Sequence, residues 1–144
     1  IHMEVVEGAT EKAPSTREGR PNPTWQRAIT PDALTLFRFS AMTFNSHRIH
    51  YDAPYAENVE KLPALVVQGK LIALQLLETM RRAAPDADLT HFAYRSAQPL
   101  YAGRRCTLAV KLGNEGNDAR LWAEDEAGAV VQTGSLTLAR PIHG

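Results

Sequence analysis

Cysteine is nearly absent: Cys106 is the single one in 144 residues. An internal disulfide is therefore excluded, and so is any metal site built on paired cysteines. A reducing cytoplasm is the simplest compartment for such a chain. Cys106 has no neighbouring histidine in sequence and reads as a core residue rather than a nucleophile. There is no excess of charge either, with 16 basic against 16 acidic residues. Nothing steers the chain toward nucleic acid or a membrane surface. No apolar run approaches the ~20 residues that span a bilayer, and no basic-then-apolar leader opens the sequence. Internal repeats and glycine-rich phosphate loops are missing as well.

What is present is concentrated. The stretch Phe37 to Asp52, FRFSAMTFNSHRIHYD, holds two of the five histidines, an asparagine and four aromatics. Asn45 and His50 lie five apart, with His47 and Arg48 between them. A segment that leaves a helix and turns sharply can aim two such side chains at one point. The length suits a single domain that buries roughly two-thirds of its unfolded surface.

Residues 1–24 read as a flexible arm or linker remnant, polar and without apolar periodicity, and 25–144 as the single folded domain. Ile1-His2-Met3 reads as a cloning remnant, so His2 belongs to no site. Trp25 to Ile29 is a short strand. Thr30 suits an N-cap, Pro31 the first helical position and Asp32 the first turn. Leu34, Phe37, Ala41 and Phe44 recur at helical spacing and define an apolar face of a helix ending near Thr43. Asp52 to Ala56 reads as a short helical turn, and Leu62 to Val67 as an extended apolar segment. Gly69 opens the longest helix, to about Ala84, apolar nearly all round and therefore buried. Strands are expected at 89–96, 105–112, 119–124 and 129–139, with turns at 113–118 and 125–128. Cys106, Leu108, Val110 and Leu112 alternate with less apolar residues. Periodicity alone gives an α+β domain, one helix on an antiparallel sheet.

The run TFNSHRIHYD, followed by DAPYAENVEKLPALVVQGKL, resembles the MaoC-like hot-dog hydratases, and within them the hydroxyacyl-thioester dehydratase type 2 branch with its mesaconyl-CoA and itaconyl-CoA hydratases. The match runs from about Trp25 onward. It departs from the pattern at Gln68, where the family usually has histidine, and at Lys70, where proline is common. The resemblance implies a hot-dog fold, an antiparallel sheet wrapped around one long helix. It also implies active sites between two hot-dog units, a homodimer or a heterodimer with a second hot-dog chain, and CoA or pantetheine only as part of the substrate.

Hydrating an unsaturated thioester needs a base for water, a stabiliser of the enolate oxygen and an acid for the α-carbon. Histidine titrates near neutral pH and can serve as both base and acid; His50 is the first candidate. Asn45 cannot be a base, but its amide can hold water or substrate. A helix amino-terminus offers free N–H groups to an oxyanion, and Gly69 stands where such a helix begins; the resemblance implies the same assignment. The better-known hydratases of the superfamily place an aspartate at the position of Asn45. His47, Arg48, Gln68 and Tyr51 are the expected substrate contacts, Arg48 toward a phosphate of CoA or of a carrier's phosphopantetheine. Plainer roles stand beside these: Asn45 as a helix cap or turn residue, His47 as exposed, Arg48 as an ordinary surface cation, Gln68 as a helix-entry residue, Gly69 as a steric necessity, Tyr51 and Tyr55 as packing. His91 and His143 read as strand and tail residues. No metal and no redox cofactor are implied. The main expectation is an enoyl-thioester hydratase, or in reverse a 3-hydroxyacyl-thioester dehydratase, acting on acyl-CoA or acyl-carrier protein. The alternatives are a thioesterase and a non-catalytic, partner-dependent subunit.

Overall fold

The structure, a computed structural model, describes residues 4–7 and 20–142; His2 and His143 fall outside them. Among the described residues six strands form one sheet: β1 (Glu4–Glu7), β2 (Trp25–Ile29), β3 (Leu89–Ser96), β4 (Cys106–Leu112), β5 (Asp118–Glu124) and β6 (Val130–Leu138). Three α-helices among the described residues accompany them: α1 (Ala33–Thr43), α2 (Ala53–Asn58) and α3 (Gly69–Ala83). The sheet order is β1-β3-β6-β5-β4-β2. All neighbours are antiparallel except β1 with β3.

The sheet wraps around α3. Leu71, Ile72, Ala73, Leu76 and Met80 of that helix are buried in one cluster with Phe92, Leu108, Val110, Leu121, Val131 and Leu136 of the sheet. Each large aliphatic side chain taken from water contributes roughly 1.5–3 kcal/mol, so this seam is the main source of stability. Of the alternating set read in β4, Cys106, Leu108 and Val110 are fully buried and Leu112 is half-buried, while Ala109, read on the other face, is buried as well. Burial pushes the Cys106 thiol up to about 12, which keeps it protonated and inert. The β5–β6 turn is closed by Asp125, whose Oδ1 accepts from the N–H groups of Ala127 and Ala129, while Gly128 takes the left-handed conformation at φ 80°.

Four details differ from the sequence reading. The N-cap of α1 is Asp32, not Thr30: its carboxylate accepts from the Thr35 N–H at 2.8 Å, leaving Thr30 and Pro31 outside the helix. The buried face of α1 is Leu36, Phe39 and Ser40; the stripe Leu34, Phe37, Ala41 and Phe44 points outward, with Phe37 58% and Phe44 94% exposed. Both stripes have helical spacing, and periodicity cannot say which one meets the sheet. α3 is not buried all round, since Leu74 is 53% exposed; one sheet covers one side of a helix. Within the segment read as an arm, Glu4–Glu7 pairs with His91–Tyr94 at the sheet edge, because β-branched Val5 and Val6 suit a strand and β3 offers an open edge. Thr24, also in that segment, bonds to β4, its N–H donating to the Val110 carbonyl at 2.8 Å.

Candidate active site

The site begins where α1 ends. Phe44 is left-handed at φ 54°, its N–H donating to the Ala41 carbonyl and the Asn45 N–H to that of Ser40 at 2.9 Å. This is a Schellman closure, made here by a residue with a Cβ, which costs on the order of 1–3 kcal/mol. The chain therefore turns back sharply before Asn45. Asn45 Oδ1 accepts from the His47 N–H at 3.2 Å, so the turn role expected as an alternative is present. That bond engages the carbonyl end of the amide.

The next residues, Arg48–His50, form one turn of 3-10 helix. It is anchored twice to the extended segment before α3: the Val66 N–H donates to the Ile49 carbonyl at 2.9 Å, and His50 Nδ1 lies 2.7 Å from the Val66 carbonyl oxygen. A carbonyl can only accept, so Nδ1 carries the proton and Nε2 holds a free lone pair. His50 is buried. Desolvation is the main cause that lowers its pKa below the ordinary 6.5, the nearby His47 adds to it, and the bond to Val66 works the other way. The His47 ring stands edge-on to His50, centroids 5.6 Å apart, while His47 itself is exposed.

Gln68 precedes α3 as its N-cap but makes no capping bond with its side chain. Its Nε2 instead donates to the Leu36 carbonyl at 2.8 Å and bonds Ser40 Oγ at 2.9 Å, tying α3 to α1. The N–H groups of Gly69 and Lys70 precede the first intrahelical donor and have no carbonyl to reach within the helix. A Cβ built on Gly69 would come within 3.0 Å of Ser96 Oγ, so the steric reason for glycine is also present.

Four of the expected residues meet in one place. A cavity of about 200 Å³ is lined by Phe39, Thr43, Asn45, His50, Gln68, Gly69 and Lys70. Phe39, Thr43 and Lys70 were not foreseen as lining residues; Phe39 and Thr43, four apart on α1, share one helix face. Three expected residues do not line it. Arg48 bonds Asp52 through Nε and Nη2 at 3.1 and 2.9 Å and stacks over Tyr55 at 4.1 Å. Tyr51 donates from its hydroxyl to the Ser46 carbonyl and lines an adjoining apolar groove of about 320 Å³ with Phe37, Ala41, Phe44 and Asn45. His47 meets the site through its ring contact with His50 and its N–H bond to Asn45. Among the described residues no cluster of three histidine, cysteine or acidic side chains could hold a metal, and no helix is long and apolar enough to cross a membrane.

Residues 2–102 match the family of hydroxyacyl-thioester dehydratase type 2. The chain belongs to this family. Mesaconyl-C(4)-CoA hydratase of Chloroflexus aurantiacus is 38% identical over 130 residues, covering 90% of this chain and 46% of that protein. The chain thus spans less than half the length of this relative. The fold is that of the (R)-hydratase of A. caviae involved in PHA biosynthesis, at a TM-score of 0.70 and 17% identity, covering 86% of this chain and 99% of that one. The ChsH1–ChsH2 complex of Mycobacterium tuberculosis is similar too, at a TM-score of 0.67 and 17% identity over 78% of this chain and 91% of that one. The sheet around α3 is therefore a hot-dog fold, and the neighbours include a complex of two proteins.

Proposed function

We propose that this hot-dog domain hydrates α,β-unsaturated acyl thioesters and, in reverse, dehydrates 3-hydroxyacyl thioesters. The observation that carries the reading is the cavity in which Asn45, His50 and the head of α3 converge, with His50 held as a neutral Nδ1–H tautomer. Water gives a proton to His50 Nε2 as its oxygen bonds to the β-carbon. The π electrons move onto the thioester oxygen, which the Gly69 N–H and the positive end of α3 stabilise. The imidazolium then protonates the α-carbon and His50 returns to neutral. One group serves as base and then acid, typically worth ~10²–10⁴-fold. The free end of the Asn45 amide holds the water or the substrate. No electron changes hands, so no redox cofactor is called for, and CoA or a carrier's pantetheine enters as part of the substrate.

A small branched dicarboxylic acyl group is favoured by the name of the Chloroflexus aurantiacus relative. Arg48 would reach a phosphate only by leaving Asp52, and Tyr51 would contact the acyl group from the apolar groove. A thioesterase working through a carboxylate is disfavoured, because no acidic side chain lines the cavity.

The outward stripe of α1 leaves apolar surface bare beside the site, and Leu74 of α3 is bare as well. A second hot-dog unit is the occupant we favour, most simply a second copy related by a two-fold axis. In a protein twice this length, the other unit would be part of the same chain. Incubation with crotonyl-CoA and mesaconyl-CoA tests the reading. Loss of the conjugated thioester absorbance without thiol release supports hydration, thiol release means hydrolysis, and activity only after adding a second hot-dog chain means a partner-dependent subunit.

A further inference from the structure

Gly69 presents a physical difficulty. Glycine has the widest backbone freedom of any residue, so the Lys70 N–H, which shares a peptide plane with the Gly69 carbonyl, is only as well aimed as that plane. The structure holds that plane from across the domain. Gln132 of β6 donates from Nε2 to the Gly69 carbonyl at 2.9 Å, and Nε2 also lies 3.3 Å from Ser96 Oγ of β3. Gln132 is fully buried, and its Oε1 has no hydrogen-bond partner among the described residues. An apolar side chain of similar length would fill the same space without burying an unpaired oxygen, which ordinarily costs stability. The amide is therefore accounted for only by what Nε2 does. The same clamp explains the glycine: a Cβ at position 69 would point at Ser96 Oγ, 3.0 Å away, and at Gln132 Nε2, 3.7 Å away.

We infer that Gln132 is a positioning residue for the thioester-oxygen site, fixing the Gly69–Lys70 peptide so that the Lys70 N–H faces the substrate beside that of Gly69. The inference rests on the hydratase reading. Gln132 touches no lining side chain of the cavity through a hydrogen bond; it acts through Gly69.

The test is Gln132→Met, which keeps length and removes the donor. kcat with crotonyl-CoA is expected to fall about tenfold or more while KM stays within about twofold, because an oxyanion contact strengthens in the transition state. Thermal unfolding should stay at or above the parent's midpoint. Should the Met variant fold poorly, Ser96→Ala, which frees the other end of the clamp, is expected to lower kcat in the same sense by a smaller factor. In parallel, the ¹⁵N–¹H signals of Gly69 and Lys70 should move in Gln132→Met while those of Thr79 and Met80 stay. A kcat within twofold of the parent, or a loss confined to KM, overturns the inference even if the parent is a hydratase. A parent without hydratase activity overturns the catalytic role along with the reading beneath it, and unmoved Gly69 and Lys70 signals overturn the clamp itself.

Discussion

His50 Nδ1 and the carbonyl oxygen of Val66 stand 2.7 Å apart. That bond joins the turn after α1 to the segment that leads into α3, and it fixes which ring nitrogen is free. The proposed base and the head of the helix are thus set relative to each other by one backbone carbonyl.

The first prediction is a pH profile. Burial lowers the His50 pKa below 6.5, and the base must be neutral. kcat/KM should be flat near neutral pH and fall on the acid side with a midpoint below that of a free imidazole. Stability follows the same sign: the unfolded chain binds the proton first, so this group's contribution is present above pH ~6.5 and is lost as pH falls through the folded value. A stability that rises on acidification through this range would count against His50 being held neutral.

Asn45→Asp keeps the acceptor for the His47 N–H and adds a negative charge on the cavity wall. The charge favours protonated His50, so the acid limb of kcat/KM should move to higher pH, with activity retained or raised. Asn45→Ala should lower kcat more than it changes KM. An acid limb that stays in place in Asn45→Asp would mean the amide points away from His50.

Much of this was legible in the sequence, and the rest was hidden for definite reasons. The end of α1, the glycine at the head of α3 and the four later strands follow from local signals: alternation, turn residues, and the compact NSHRIH run. Asn45, His50, Gln68 and Gly69 converge because they flank two short turns. The inward face of α1 was not legible, since Leu36–Phe39 and Leu34–Phe37 have equal helical spacing. Nor was Gln132, which lies 63 residues from its partner Gly69. Its strand is buried on both faces over Val130–Gly134, so no alternation marks it. The arrest of Arg48 by Asp52 is an i, i+4 pair that helical spacing could have suggested.

Gly69→Ala should slow turnover by pressing Ser96 and Gln132 off the head of α3, although alanine is the better helix former. Ser96→Gly in the same chain should restore part of the rate, and a double-mutant cycle measures the coupling. Independent, additive effects would mean that the 3.0 Å approach to Ser96 Oγ is relieved some other way.

Gln68→Leu should act on stability rather than chemistry. It removes the bonds to the Leu36 carbonyl and Ser40 Oγ along with a buried, unpaired Oε1, for a net loss of about 1 kcal/mol or less, read by urea unfolding. Unchanged stability with a raised KM would instead make Gln68 a substrate contact.

Light scattering at micromolar concentration should find a two-fold dimer, and Phe37→Glu on the bare stripe of α1 should weaken it. A monomer that remains fully active would leave that stripe without the proposed occupant.

The most direct measurement compares the parent with His50→Ala on crotonyl-CoA and mesaconyl-CoA, following the conjugated thioester absorbance. The expected result is hydration by the parent and a rate lower by about two to four orders of magnitude in the folded variant, as removal of a single acid–base group requires. Turnover within about threefold of the parent would contradict the role of His50 and, with it, the proposed chemistry.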